Sequence, residues 1–81
     1  MSKTAILYVN PNPASNKLAL KYNSAIIDEV QLWDVSGKLV LNKRIDADKA
    51  VLQVADIPSG IYYLSVRTNQ NLVTERIVIQ H

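Results

Sequence analysis

An all-β fold is what this sequence predicts, and three features say so. Short runs of β-branched, aromatic and aliphatic residues recur along the chain, turn formers separate them at roughly 8–12-residue spacing, and no run has the length or apolar spacing of an amphipathic helix. Short strands at such regular intervals point to a sandwich or a barrel.

Seven runs carry this reading. The first, Ala5–Val9, is stopped by Asn10-Pro11-Asn12-Pro13. Proline lacks an amide donor and fixes φ, and the residue before it is held extended, so the tract reads as a rigid corner that neither continues a ladder nor starts a helix. The second run, Lys17–Tyr22, alternates: Leu18, Leu20 and Tyr22 are expected inside, with Lys17, Ala19 and Lys21 outside. In the third, Glu29–Val35, Val30 and Leu32 oppose Gln31 and Trp33. Trp33 is the sole tryptophan; on the nominally outer face it reads as a ring partly covered by a loop.

Val35-Ser36-Gly37-Lys38 comes next, where Gly37 supplies the positive φ of a hairpin with a glycine bulge leading into the fourth run, Lys38–Lys43. The fifth, Ala50–Val54, runs into Ile57-Pro58-Ser59-Gly60, the second corner that carries a glycine. In the sixth, Ile61–Thr68, Tyr62, Leu64 and Val66 oppose Tyr63, Ser65 and Arg67. Gly60 is expected to serve the turn, and Tyr62 to fill the core with its hydroxyl satisfied at the edge. Asn69-Gln70-Asn71 is a third turn, in which asparagine tolerates the left-handed region. Parity in the seventh run, Leu72–Ile79, sets Leu72, Thr74, Arg76 and Val78 against Val73, Glu75, Ile77 and Ile79; the pattern does not choose the buried side, but charge places Arg76 outside.

At 81 residues the chain is expected to be one domain, 1–81, with its core at about 5–79. So small a fold buries roughly 60% of the unfolded surface. With no cysteine to staple it and one histidine, stability has to come from packing the 48% of residues that are hydrophobic. No run approaches a membrane span, and Met1-Ser2-Lys3 opens no signal-peptide pattern, so the chain alone is not expected to enter a secretory pathway. The net charge of +2 is mild, and basic and acidic residues interleave along the sequence, which argues against nucleic acid as a partner.

Catalytic chemistry is not expected. Nucleophilic catalysis needs a base beside the nucleophile, and the only histidine, His81, is the last residue, where a frayed end holds no geometry. Asp28-Glu29 and Asp46-Ala47-Asp48 stand at run boundaries without a calcium-loop ligand series and read as solvated turn charge. Neither glycine starts a strand–turn–helix phosphate cradle, and no cofactor is expected.

Four tracts in fixed order carry a resemblance: Val9-Asn10-Pro11-Asn12-Pro13-Ala14, Leu32 through Val40, Ile57-Pro58-Ser59-Gly60-Ile61-Tyr62, and Thr74-Glu75-Arg76-Ile77-Val78-Ile79. Together, from about Leu7 to Ile79, they resemble the type A C-terminal sorting domain of the type IX secretion system of Bacteroidetes. The resemblance implies an immunoglobulin-like antiparallel sandwich of about seven strands. It implies a non-enzymatic address at the end of a secreted or surface-bound cargo that has an N-terminal Sec signal. Its implied partners are the type IX translocon and shuttle proteins, and a sortase-like protease that removes the tag. The motif positions it singles out are Pro11, Asn12, Pro13, Gly37, Lys38, Gly60, Tyr62, Thr74 and Arg76. Arg76 stands where a lysine is often found, and Gln80-His81 departs from the usual basic or apolar ending. The competing reading is an immunoglobulin-like accessory module that binds carbohydrate or protein through Trp33 and Tyr63.

Overall fold

Period-two alternation builds strands throughout the chain. The structure is a computed structural model that describes residues 5–81, so the Met1-Ser2-Lys3 start lies outside the described residues. Seven strands follow in chain order: β1 (Leu7–Asn10), β2 (Lys17–Tyr22), β3 (Ile27–Asp34), β4 (Leu39–Ala47), β5 (Lys49–Gln53), β6 (Gly60–Thr68) and β7 (Leu72–Ile79). They form two antiparallel sheets, one of three strands in the order β1-β2-β5 and one of four in the order β4-β3-β6-β7. The chain changes sheet after β2, β4 and β5, giving an immunoglobulin-like sandwich. The second and seventh runs match their strands end to end. The largest difference is in β4, which continues four residues past Lys43 to Ala47.

One core fills the space between the sheets. Leu18, Leu20, Tyr22 and Leu52 come from the three-stranded sheet, and Ile27, Val30, Leu32, Tyr62, Leu64, Val66, Ile77 and Ile79 from the four-stranded one. The inward sets expected for β2, β3 and β6 are the buried ones. β7 is settled as well: Ile77 and Ile79 are buried and Val73 packs against the core, which leaves Leu72, Thr74 and Arg76 exposed on the outer face. Trp33 is half-buried on that same face, in register with Leu39 on one side and Tyr63 on the other.

Two turns are made differently from the expectation. Among the described residues the only non-glycine with a positive φ is Asp46 (56°), so the asparagines between β6 and β7 do not use the left-handed region. The Thr68 hydroxyl builds that turn instead, accepting from the Gln70 and Asn71 amides (both 3.1 Å) and bonding the Asn71 side-chain oxygen (3.0 Å). Threonine is buried here because its hydroxyl has these local partners. Asp46, for its part, makes the corner at which the chain passes from the four-stranded to the three-stranded sheet. Aspartate is one of the few side chains that visits this region readily, and the ladder shifts register between Ile27 and Glu29 opposite it.

Ile77 is fully buried on a strand with core on one face only. Truncation to alanine should therefore cost about 2–5 kcal/mol, through lost burial and a residual cavity. Chemical denaturation of Ile77→Ala beside the wild type measures this.

Candidate functional site

The four motif tracts, far apart in sequence, come to one end of the four-stranded sheet. Register shows why. Asp34 at the end of β3 pairs with Tyr62 on β6, Tyr62 pairs with Ile77 on β7, and Gly60 pairs with Ile79. The hairpin after β3, the start of β6 and the end of β7 thus share an end, and the Pro11-Asn12-Pro13 corner reaches the same place from outside.

That corner does more than stop β1. Both of its X–Pro bonds are cis, and Pro11, Asn12 and Pro13 are exposed. The tract ends the β1 ladder as expected, and immediately afterwards, at Ala14, the chain pairs with the opposite sheet. Asn12 Oδ1 accepts from the Val78 amide (2.9 Å) and Asn12 Nδ2 donates to the Arg76 carbonyl (3.2 Å). One residue beyond Pro13, the Ala14 amide donates to the Val78 carbonyl and its own carbonyl accepts from the Gln80 amide, both at 2.8 Å. Ala14 and Ile79 form a parallel bridge. Proline has no N–H to offer an edge, so the asparagine amide supplies donor and acceptor in its place. Ala14 is almost wholly buried, as a larger side chain at so close an approach would not be. Sequence reasoning passed over Ala14, whose only signal is a small residue directly after the corner.

The β3–β4 hairpin is built as expected. Gly37 has φ 90°, its amide donates to the Asp34 carbonyl (3.1 Å), and the Asp34 amide donates to the Lys38 carbonyl (2.9 Å). Asp34 completes the turn: one carboxylate oxygen accepts from the Ser36 hydroxyl (2.7 Å), the Ser36 amide (2.9 Å) and the Lys38 amide (3.0 Å). The Ser36 hydroxyl above all, and then the Lys38 amide, hold its carboxyl below the ordinary carboxylate value.

At the β5–β6 corner Tyr62 is buried, and its hydroxyl donates to the Pro58 carbonyl (2.6 Å). A tyrosine near the start of the sixth strand bonding backward to the preceding corner is the tyrosine corner of immunoglobulin-like sandwiches. Gly60 is not required by a turn conformation. It begins β6 outside the left-handed region, and a β-carbon there would meet Tyr62 Cε2 at 3.6 Å, an ordinary contact. His81 is not frayed: its amide donates to Ser59 Oγ (3.0 Å), and its Nε2 lies 2.7 Å from the Ile57 carbonyl oxygen. The chain end is thereby tied to the corner that Tyr62 closes.

The outer face at this end presents Trp33, Tyr63 and Arg76 in one row across β3, β6 and β7, with Ile61 and Val78 paired in the next. Thr74 is one row further from the corner, opposite Ser65. The acidic pairs lie elsewhere: Glu29 bonds Arg67 (3.0 Å) and Asp46 lies 3.6 Å from Arg44. Among the described residues no three His, Cys, Asp or Glu side chains gather as metal ligands would, and no helix is long and apolar enough to cross a membrane.

Residues 8–80 match the model of a family described as the secretion system C-terminal sorting domain. The chain belongs to this family of type IX sorting signals, which marks the cargo it is attached to as secreted or cell-surface and which is not a family of enzymes. No curated protein matches the sequence.

Two measurements check the site's construction. Asn12→Ala removes both side-chain bonds to β7, and should cost about 1–2 kcal/mol and speed hydrogen exchange of the Val78 amide. Asp34 should contribute stability above the unfolded-state carboxylate pKa of about 4 and lose it as pH falls through its lowered folded value. Melting temperatures across that acid range should therefore fall less steeply for Asp34→Asn than for the wild type.

Proposed function

We propose that this chain acts as one folded unit, residues 1–81, which the outer-membrane translocon of the type IX system and its shuttle proteins recognise after Sec-dependent delivery of the precursor to the periplasm. A sortase-like protease then removes it as the cargo is attached to the surface. The observation that carries the reading is the family match over residues 8–80, and the gathering of all four motif tracts at one end of the four-stranded sheet supports it. A fold that collects dispersed motifs in one place offers a partner a single surface to dock on.

Within that end the motif residues divide by physical role. Asn12, Gly37 and Tyr62 hold the backbone in shape and Pro11 and Pro13 set the corner, while the exposed side chains of Pro11, Pro13, Lys38, Thr74 and Arg76 remain open to a partner. The exposed set, with Arg76 foremost, is the surface that the machinery reads. A guanidinium offers a planar fork of donors suited to a carboxylate or to backbone carbonyls. The accessory-module reading rests instead on Trp33 and Tyr63, and of these only Tyr63 is substantially exposed (42%).

The test is transfer of the address. Placed behind a Sec-targeted fluorescent reporter in a host with a type IX system, the whole chain should send the reporter to the surface or the medium. Periplasmic retention of the fusion with its domain folded would overturn the sorting role and favour the accessory module. In the same assay Arg76→Ala should reduce export while changing stability by no more than about 0.5 kcal/mol, as expected for an exposed residue. Export that follows the melting temperature alone would remove Arg76 from the recognition surface.

A further inference from the structure

The edge of β7 is only half covered. β7 is the last strand of its sheet and pairs with β6 in unbroken register from Leu72 to Ile79. Groups taken by Asn12 and Ala14 fix which residues face outward: the Val78 amide and carbonyl, the Gln80 amide and the Arg76 carbonyl. Antiparallel ladders alternate, so Leu72 and Thr74 turn both backbone groups to the same side, and Arg76 turns its amide there. These groups have no partner among the described residues. Five residues of open edge, about 17 Å long, thus continue directly from a stretch that Asn12 and Ala14 already bond.

The other edges are less suited to pairing. β4, at the far side of the same sheet, is broken by two register shifts and ends in the left-handed Asp46, features that twist an edge away from a partner. β1 has four residues and β5 five, and on β5 the Val51 carbonyl already accepts from Lys43 Nζ (3.4 Å). β7 alone is long, regular and held at one end by the chain itself. Thr74 and Arg76 are the two motif residues whose amides face out of the open half.

We propose that the Leu72–Arg76 edge of β7 receives an extended peptide segment of the secretion machinery as an added strand, so that main-chain hydrogen bonds carry much of the binding. This rests on the sorting role proposed above. The occupant is a peptide segment because the Asn12 side-chain amide and the Ala14 backbone already satisfy the adjoining groups of the same edge, and an added strand lengthens that seam. Thr74 and Arg76 on the outer face and Glu75 on the other put polar chemistry beside the exposed Leu72, which favours a partner strand that mixes polar and apolar side chains.

Proline separates backbone from side chain in the test. The Thr74 amide plays no part in the β6 ladder, so Thr74→Pro removes an outward donor and obstructs an incoming strand while leaving the sheet bonds in place. Thr74→Ala keeps the amide and removes only the side chain. In the reporter assay Thr74→Pro should lower export by about tenfold or more, and well below the level of Thr74→Ala, which loses only what the side chain contributes. Equal export of Thr74→Pro and wild type would overturn the added strand while leaving the sorting role intact, and failure of the wild-type fusion itself would overturn the sorting role. The wild-type chain supplies a second readout should Thr74→Pro not fold. Quenched hydrogen exchange should show the Thr74 and Arg76 amides exchanging fast in the free chain and slowed once detergent-solubilised translocon is bound. Unchanged exchange at those amides in the bound chain, or the same slowing in a self-associated dimer without translocon, would refute the proposal.

Discussion

The bond between the Asn12 side chain and the edge of β7 is the constraint on which the functional end of this domain depends. An edge strand left open along its whole length is a template for unwanted pairing. Covering it entirely would remove it from use. The corner at Pro11–Pro13 covers the last third and stops, because proline cannot donate and only Asn12 and Ala14 have groups to give. Without that latch the corner would be held to β7 by the Ala14 bonds alone, and the end of β7 by those bonds, its β6 ladder and the His81 contacts with the β5–β6 corner.

The same economy appears at the other motif tracts. Three of the four tracts carry residues whose chemistry shapes the backbone: Asp34 and Gly37 close a hairpin, Tyr62 reaches back to Pro58, and Asn12 bonds the β7 edge. Register through the continuous β6–β7 ladder then brings those local structures to one end. The motif is dispersed in sequence because the local devices are short and separate, and it is compact in space because antiparallel pairing folds their positions together.

Much of this fold was legible in the sequence, and the reason is the strength of alternation where one face is buried. β2, β3 and β6 declare their inward residues, since on each the core set alternates with a face marked by lysine, glutamine, serine or arginine, even where Trp33 and Tyr63 share it. β7 did not, because it is a half-covered edge strand on which Val73 and Leu72, or Ile77 and Val78, compete on hydropathy alone. The extension of β4 was missed for a related reason: Arg44, Asp46 and the half-buried Ile45 lie where the strand leaves the core and turns towards the other sheet. What no local pattern reveals is a bond between residues far apart in the chain, such as Asn12 to Val78 or His81 to Ser59. The corner was visible as a stop, but its partner was not.

This division bears on how a sorting signal can be both strict and variable. If the partner read motif side chains directly, substitution at each would cost binding in proportion to its own contact. The geometry places several of them in a different position, holding the surface that a partner would meet: Tyr62 is buried, and Asn12 spends its amide on β7. Their tolerance of change is then set by folding, where loss of one hydrogen bond shifts stability by about 1 kcal/mol, and only afterwards by recognition. In the added strand proposed above, backbone groups at Thr74 and Arg76 serve whatever the side chain, and the Arg76 guanidinium adds a contact of its own. A lysine-to-arginine exchange at position 76 keeps the outward amide and the positive charge together. A proline at Thr74 would keep neither the outward donor nor the open approach that the proposed added strand needs.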